Sequence, residues 1–446
     1  MNRLVFSLGL ASIFCSFGAD VCLGQNVRMV AGADSTAFMR RLAAMDGVKN
    51  VKRLETSAFK EKYVMQVRQN VNGADSTKGS FYQRVVVGLK GVDRPTVLVT
   101  EGYTGDYVLN PRYEEELCEL FDANMVFCQY RYFSESVPEP CDWTYMTVNN
   151  SLYDYHHVRS LFAPVFKNKW ISTGISKGGQ TTMFYRSVYP EDMDVSVSYV
   201  APLNRKVEDG RHEKFLAKKV GTKAERMTIL AAEQELMKRK VQLLPQFEKF
   251  AQDHKYHFNV SVADIYDYCV MELPFALWQW GTPVSTLPDV ADPDSVWFRY
   301  FVKTADPNYF NTPSEFTPFF VQAARELGYY GYSRKGLRKW QSIRSSKGYL
   351  NRLLLPEKLR GTIAFDKGLY KRTVKYLKQN DPKHIFIYGS IDPWTASGVA
   401  GWLDCSKKEN MRVYVQPGGS HLSRIGNMPD TIKQEIMGRL TKWLNE

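Results

Sequence analysis

The chain has 446 residues, of which 44% are hydrophobic and 24% are charged. This composition is typical of a globular protein with a large core and excludes a disordered chain or a fibre. The formal net charge is +12. No aromatic and basic motif accompanies that charge, so we expect solvated helix faces and no nucleic-acid partner.

The first residues have the pattern of an export signal. The charged Arg3 precedes an apolar run over 4–17, and the stretch 22–24 then offers small residues for cleavage. The pattern predicts a signal peptide over 1–24 and a secreted or periplasmic protein. A membrane anchor is the alternative, but the run is shorter than the roughly 20 apolar residues of a spanning helix. We therefore expect no stable membrane insertion after cleavage.

Strand and helix patterns alternate in the first half of the chain. The apolar run over 96–100 suits a strand that is buried on both faces. In chain order, the pattern predicts strands over 63–71, 81–89, 96–100, 125–130 and 169–173, and helices over 113–122, 148–162 and 179–189. Such alternation predicts a doubly wound, mostly parallel α/β sheet.

The strand pattern fades in the middle of the chain and returns near its end. Amphipathic and aromatic stretches over 223–250 and 266–280 predict helices, whereas 384–388 and 411–416 predict strands and 431–444 a closing helix. We therefore predict a first core part over 25–203, a large helical cap insertion over 204–376 and a second core part over 377–446.

A G-x-S-x-G motif stands between a predicted strand and a predicted helix. It consists of Gly174, Ile175, Ser176, Lys177 and Gly178. A serine on so sharp a turn needs glycines two residues to either side, because side chains there would collide with the strand and the helix. The motif predicts Ser176 as the nucleophile of an α/β-hydrolase. A glycine-rich turn without chemistry is the alternative.

A nucleophilic serine needs a general base, which the hydrolase order of serine, acid and histidine places late in the chain. His421 lies in the loop between the predicted strand over 411–416 and the last helix. The other histidines precede the serine, fall in the predicted insertion or precede the candidate acid: His156, His157, His212, His254, His257 and His384. Elimination leaves His421 as the base.

The acid of such a triad should follow the preceding strand. Asp392 stands there, after 384–388, and Pro393 favours an extended backbone at the aspartate. Asp392 would hold the imidazole in the correct tautomer and stabilise its cation. Asp404 and Asp381 are the nearby alternatives.

Two backbone N–H groups are expected to form an oxyanion hole. Lys177 follows the nucleophile at the start of a predicted helix, where the helix dipole favours negative charge. The second donor should come from the loop after the strand over 96–100, and Gly102 and Tyr103 are the candidates there.

Several longer segments share a pattern with one family. They are Arg131-Tyr132-Phe133-Ser134-Glu135-Ser136, Pro138-Glu139-Pro140, Asp142-Trp143, the stretch 169–179 and Tyr199-Val200-Ala201-Pro202. In these segments the chain resembles the secreted bacterial tripeptidyl aminopeptidases of the serine-peptidase type, and more distantly prolyl carboxypeptidase and the lysosomal dipeptidyl peptidase. The resemblance implies a hydrolase core interrupted by a helical cap, release of short peptides from free N-termini, and Ser176, Asp392 and His421 as the triad.

An aminopeptidase must bind a protonated amine at a fixed distance from the bond that it cuts, which calls for carboxylates near the cleft. The loop acids Glu101, Glu135, Glu139 and Asp142 are possible, and we choose Glu135 and Glu139. Four aromatic residues of the insertion are candidates for a substrate pocket or for the core of the cap: Tyr266, Phe275, Trp278 and Trp280.

We therefore predict a secreted serine peptidase that removes short peptides, with tripeptides as the expected product. It would act through an acyl-enzyme and without a metal or cofactor. Its expected partners are peptides with a free N-terminus. The alternatives are an esterase that acts on acylated carbohydrate or lipid with the same triad, and a binding protein in which the triad is misaligned. The sequence leaves the oligomeric state open.

Overall fold

The computed structural model describes residues 36–446, so the predicted signal peptide lies outside the described residues. The strands are β1 (Val48–Leu54), β2 (Glu61–Asn72), β3 (Asp75–Leu89), β4 (Thr96–Thr100), β5 (Asn124–Cys128), β6 (Trp170–Ile175), β7 (Val195–Tyr199), β8 (His384–Gly389) and β9 (Arg412–Gln416). The helices are α1 (Ala37–Ala43), α2 (Glu116–Phe121), α3 (Val148–Phe162), α4 (Lys177–Val188), α5 (Arg211–Lys218), α6 (Lys223–Lys238), α7 (Lys240–Asp253), α8 (Val262–Trp280), α9 (Asp294–Thr304), α10 (Thr317–Gln322), α11 (Gly368–Gln379) and α12 (Asp430–Asn445).

The nine strands form one sheet in the order β1-β2-β3-β5-β4-β6-β7-β8-β9. The first three strands are antiparallel to their neighbours, and every pair from β5 to β9 is parallel. Every residue of β4, β5, β7 and β8 is buried, as expected for parallel strands that helices cover on both faces. The carboxyl ends of the parallel strands therefore meet along one edge of the sheet.

Alternate residues of the strands enter two separate cores. On β3, Val85 and Val87 face the larger core, and Val86 faces the smaller one. Helices α3 and α4 cover the larger core, whereas α2 and α12 cover the smaller one. This strand order between two helical layers is the α/β-hydrolase fold, which confirms the predicted fold class.

The chain between β7 and β8, residues 200–383, contains α5 to α11, and we call it the intervening segment. Helix α8 packs against α6, α7 and α9. Helix α11 instead packs on α4 of the sheet layer, so the predicted boundary at 376 falls inside a helix. The predicted stretch 223–250 is two helices, α6 and α7, which meet at Arg239.

Strand β7 is central in the sheet, although its sequence gave no strand prediction. Its valines alternate with Ser196 and Ser198, a pattern that is typical of a half-exposed strand. Both hydroxyls are satisfied inside the sheet, because Ser196 Oγ lies 2.8 Å from Ser172 Oγ and Ser198 Oγ lies 2.9 Å from His384 Nε2. Helix α1 and strand β1 were likewise not predicted.

Two further observations concern residues 36–446 as a whole. None of their helices combines the length and apolar character that a membrane crossing requires. Their cysteines are free thiols, namely Cys118, Cys128, Cys141, Cys269 and Cys405.

Candidate active site

Ser176 lies on the tight turn between β6 and α4. Its backbone has φ 58° and ψ −119°, a conformation that is rare for a residue with a side chain and that persists only where neighbours hold it. Two hydrogen bonds do so: the Ser176 N–H donates to Tyr199 O at 2.9 Å, and the Gln180 N–H donates to Ser176 O at 2.9 Å. The side chain is thereby presented at the carboxyl end of β6.

The glycines of the motif are required by close backbone contacts. A Cβ atom on Gly174 would lie 2.5 Å from both Gly178 O and Thr100 O, and a Cβ on Gly178 would lie 2.6 Å from Thr100 O. Real Cβ atoms do not approach backbone oxygens so closely. The collisions that the sequence predicts for side chains at these positions are present in the fold.

The loops that carry Asp392 and His421 are joined by backbone hydrogen bonds. They follow the neighbouring strands β8 and β9. The Ser390 N–H donates to Gln416 O at 3.0 Å, and the Ile391 N–H donates to Gly419 O at 3.0 Å. The two side chains are therefore held at the same edge of the sheet as Ser176.

His421 and Asp392 form a buried pair, with 2.7 Å between His421 Nδ1 and Asp392 Oδ2. The other oxygen, Asp392 Oδ1, accepts the N–H of Trp394 at 3.0 Å. The carboxylate favours a proton on Nδ1 and leaves Nε2 as the acceptor nitrogen of the neutral ring. The His421 N–H donates to Gln279 O at 2.9 Å, which fixes this loop against α8.

A cavity opens at Ser176. Residues that line it include Tyr103, Asn204, Phe319, Tyr329 and Trp394. The Trp394 ring lies 6.5 Å from the His421 ring, centroid to centroid, so one wall of the cavity adjoins the histidine. Tyr103 reaches the nucleophile: burial raises the pKa of its hydroxyl, and a hydrogen bond with Ser176 lowers it in part.

The loop after β4 differs from the sequence expectation. The N–H groups of Gly102 and Tyr103 donate to the carboxylate of Glu101, at 2.8 and 3.1 Å from Oε1. Neither group is free to hold an oxyanion in this conformation. The competing acceptor is the side chain of Glu101, which directly precedes these two residues.

Lys177 combines a free helix terminus with a buried ammonium group. Its N–H belongs to the first turn of α4, where N–H groups lack an acceptor within the helix. Its Nζ donates to Gly102 O at 2.6 Å and lies 3.2 Å from the centroid of the Tyr130 ring. Burial lowers the pKa of this amine well below its usual range, and the charges of Glu101 and Glu326 oppose that shift.

The two carboxylates that we chose for binding the substrate amine lie elsewhere. Glu135 and Glu139 are exposed, and Glu135 Oε1 lies 3.3 Å from Arg84 Nε. Neither residue lines the cavity at Ser176. The loop buries its aromatic residues, including Tyr132 and Phe133, and therefore turns its glutamates toward solvent.

The sequence reasoning missed Glu272, a half-buried carboxylate on α8. Its Oε2 accepts hydrogen bonds from the hydroxyls of Tyr330 and Tyr332, at 2.9 and 2.6 Å. Burial raises the pKa of Glu272 to about 7, although these two hydrogen bonds lower it. The aromatic residues that share α8 with Glu272 are also typical of the core of a cap. Tyr266, Phe275 and Trp278 are indeed buried.

Across residues 36–446, no three or more His, Cys, Asp and Glu side chains are grouped so that they could hold an ion.

Comparison with known proteins identifies the family. Residues 33–445 match the PS-10 peptidases S37. The chain belongs to this family. It is also 28% identical, over 414 residues, to the prolyl tri/tetrapeptidyl aminopeptidase of Streptomyces mobaraensis, and the match covers 90% of this chain and 84% of that protein. The S37 protein is thus a serine peptidase, as the sequence predicts.

The similar solved structures include two at low identity. VinJ is 14% identical with a TM-score of 0.40, and the match covers 82% of this chain and 95% of VinJ. The proline iminopeptidase of Mycobacterium smegmatis is 12% identical with a TM-score of 0.36, and the match covers 81% of this chain and 96% of that one.

Proposed function

We propose that this S37 peptidase is a secreted aminopeptidase that releases short peptides, tripeptides among them, from free N-termini. The observation that carries the proposal is the buried 2.7 Å pair of His421 and Asp392 at the sheet edge that also holds the Ser176 turn. The Streptomyces relative, a prolyl tri/tetrapeptidyl aminopeptidase, supports the length of the product. The export pattern over 1–24 supports secretion.

In the proposed mechanism, Ser176 Oγ attacks the carbonyl carbon of the scissile peptide bond. His421 Nε2 takes the serine proton and then gives it to the leaving amine, while Asp392 stabilises the imidazolium through Nδ1. The released N-terminal peptide is held as an ester of Ser176. A water molecule, deprotonated by His421, hydrolyses that ester and restores the serine.

The developing oxyanion needs donors at the cavity. The Lys177 N–H at the start of α4 is one candidate, and its position on a helix N-terminus supports that role. The Tyr103 hydroxyl is the second, because it lines the same cavity and bonds with Ser176. We choose this hydroxyl instead of the N–H groups of Gly102 and Tyr103, because those groups donate to the Glu101 carboxylate.

Replacing Ser176 with Ala tests the proposal. We expect kcat for a free tripeptide p-nitroanilide to fall by roughly 10⁴-fold or more, because the acyl-enzyme cannot form. Ser187→Ala, at the far end of the same helix, is the matched control and should retain full turnover. Steady-state kinetics and a thermal melting curve on each purified protein are the measurements. Undiminished peptidase activity in Ser176→Ala would refute the nucleophile.

The same assay separates the peptidase from the esterase. Wild-type protein is given free tripeptide, N-acetylated tripeptide and p-nitrophenyl acetate in parallel. Preference for the free tripeptide is the expected result. Turnover of the acyl ester alone would overturn the aminopeptidase proposal while leaving Ser176 as the nucleophile.

A further inference from the structure

Glu272 is a carboxyl group without a cationic partner among the described residues. Its two hydrogen-bond donors are the neutral hydroxyls of Tyr330 and Tyr332, and both act on the same oxygen, Oε2. Within the part of the chain that the structure describes, no Lys, Arg or His pairs with this carboxylate, and no donor reaches Oε1. A poorly solvated carboxylate in such surroundings favours a cationic partner.

The rings around Glu272 connect it to the cavity at Ser176. The Tyr330 ring stacks on Phe275 at 4.0 Å and lies 5.5 Å from Trp394, and Trp394 lines that cavity. Tyr329, whose ring lies 4.5 Å from that of Tyr330, lines it too. Glu272 is therefore one tyrosine ring away from the cavity wall.

Two other acids near the cavity have partners on the described residues. The Glu101 carboxylate accepts two backbone N–H groups and the hydroxyl of Tyr107. Glu135 is exposed and paired with Arg84. Glu272, whose hydrogen bonds from the described residues all fall on Oε2, is more available to a ligand than either of them.

We propose that Glu272 binds the protonated α-amine of the peptide substrate, with the hydroxyls of Tyr330 and Tyr332 holding its carboxylate in place. The assignment rests on the proposed aminopeptidase function and deepens it. With this assignment, α8 of the intervening segment sets the distance between the N-terminus of the substrate and its scissile bond.

Glu272→Gln tests the assignment, because the amide keeps the shape of the side chain and its acceptor oxygen but loses the charge. We expect kcat/KM for a free tripeptide p-nitroanilide to fall about 30-fold, chiefly through a higher KM. Hydrolysis of p-nitrophenyl acetate and of the N-acetylated tripeptide should be unchanged. Glu272→Asp, which keeps the charge one methylene away, should fall between wild type and Glu272→Gln.

Glu248→Gln is the matched control, since Glu248 is an exposed glutamate on α7 of the same segment. It should leave all three rates unchanged. If Glu272→Gln keeps the wild-type preference for a free N-terminus, or if Glu135→Gln or Glu139→Gln removes that preference instead, the assignment is wrong and the aminopeptidase function stands. If the wild-type enzyme shows no such preference, both proposals fall together.

Discussion

The sheet edge at Ser176 and the tyrosine-rich part of α8 pair their buried carboxylates differently. At the sheet edge, Asp392 bonds the imidazole of His421 at Nδ1. On α8, Glu272 has hydroxyl donors and no cation among the described residues. In the functions proposed above, the first carboxylate has its partner before the substrate arrives, whereas the second leaves a place for the charge that the substrate brings.

The two regions are not independent, because the His421 N–H donates to Gln279 O near the end of α8. Helix α8 therefore carries Glu272 and also holds the backbone of the histidine loop. Substitutions that act only on charge separate the two roles better than those that disturb the helix.

Asp392→Asn removes the carboxylate that bonds His421 at the sheet edge, and it has the largest expected effect. The amide can present N–H₂ to His421 Nδ1 and so favours the tautomer with its proton on Nε2, where the serine proton must go. We expect kcat to fall about 10⁴-fold for free peptide and for ester alike. Steady-state kinetics on both substrates measure this fall. A loss confined to the peptide would assign Asp392 to substrate binding instead.

Gly174→Ala disturbs the same edge through packing and has an intermediate effect. The new Cβ would lie 2.5 Å from Gly178 O and Thr100 O, so backbone must move and the free energy of unfolding should fall by about 3 kcal/mol. Gly438→Ala is the control: no atom lies within 4 Å of its Cβ on α12, and helix propensity predicts a gain of about 0.5–1 kcal/mol. Urea unfolding of both variants measures the difference. Equal stability would show that the turn tolerates a side chain.

The pH dependence of peptide turnover tests the recognition side and has the smallest expected effect. Burial raises the Glu272 pKa to about 7, so the carboxyl is ionised above that pH and neutral below it. The ratio of kcat/KM for free tripeptide to that for p-nitrophenyl acetate should therefore fall roughly fivefold between pH 7.5 and 6, because the loss of the Glu272 charge outweighs the gain in protonated substrate α-amine, whose pKa is about 8. Dividing by the ester rate removes the titration of the triad.

The thiol and the phenol groups near Glu272 should not titrate in this range. They are Cys269, Tyr309, Tyr329, Tyr330, Tyr332 and Tyr349, and burial raises the pKa of each well above its usual value. In Glu272→Gln the ratio should be flat with pH. A ratio that still falls in this variant would place the ionising group elsewhere.

Much of the fold could be predicted because its signals are local. The apolar run of β4 and the helical period of α3 and α12 depend on neighbouring residues only, and the structure has these elements. Strand β7 was missed although its alternation of valine and serine is a local strand pattern. Burial of Ser196 and Ser198 could not be predicted, because their partners lie on neighbouring strands. Strand β1 was missed although it pairs with the next strand along the chain.

The sequence by itself determined the position of the candidate nucleophile, since the G-x-S-x-G motif around Ser176 occupies consecutive residues between a strand pattern and a helix pattern. It also determined the order of Asp392 and His421 after two late strands. Only the tertiary structure decided which carboxylate lies behind the aromatic wall of the cavity. Burial of Tyr132 and Phe133 turns Glu135 toward solvent, whereas the packing of Phe275 against Tyr330 and Trp394 brings Glu272 toward the cavity. These contacts join segments far apart in the chain, so no local pattern carries them.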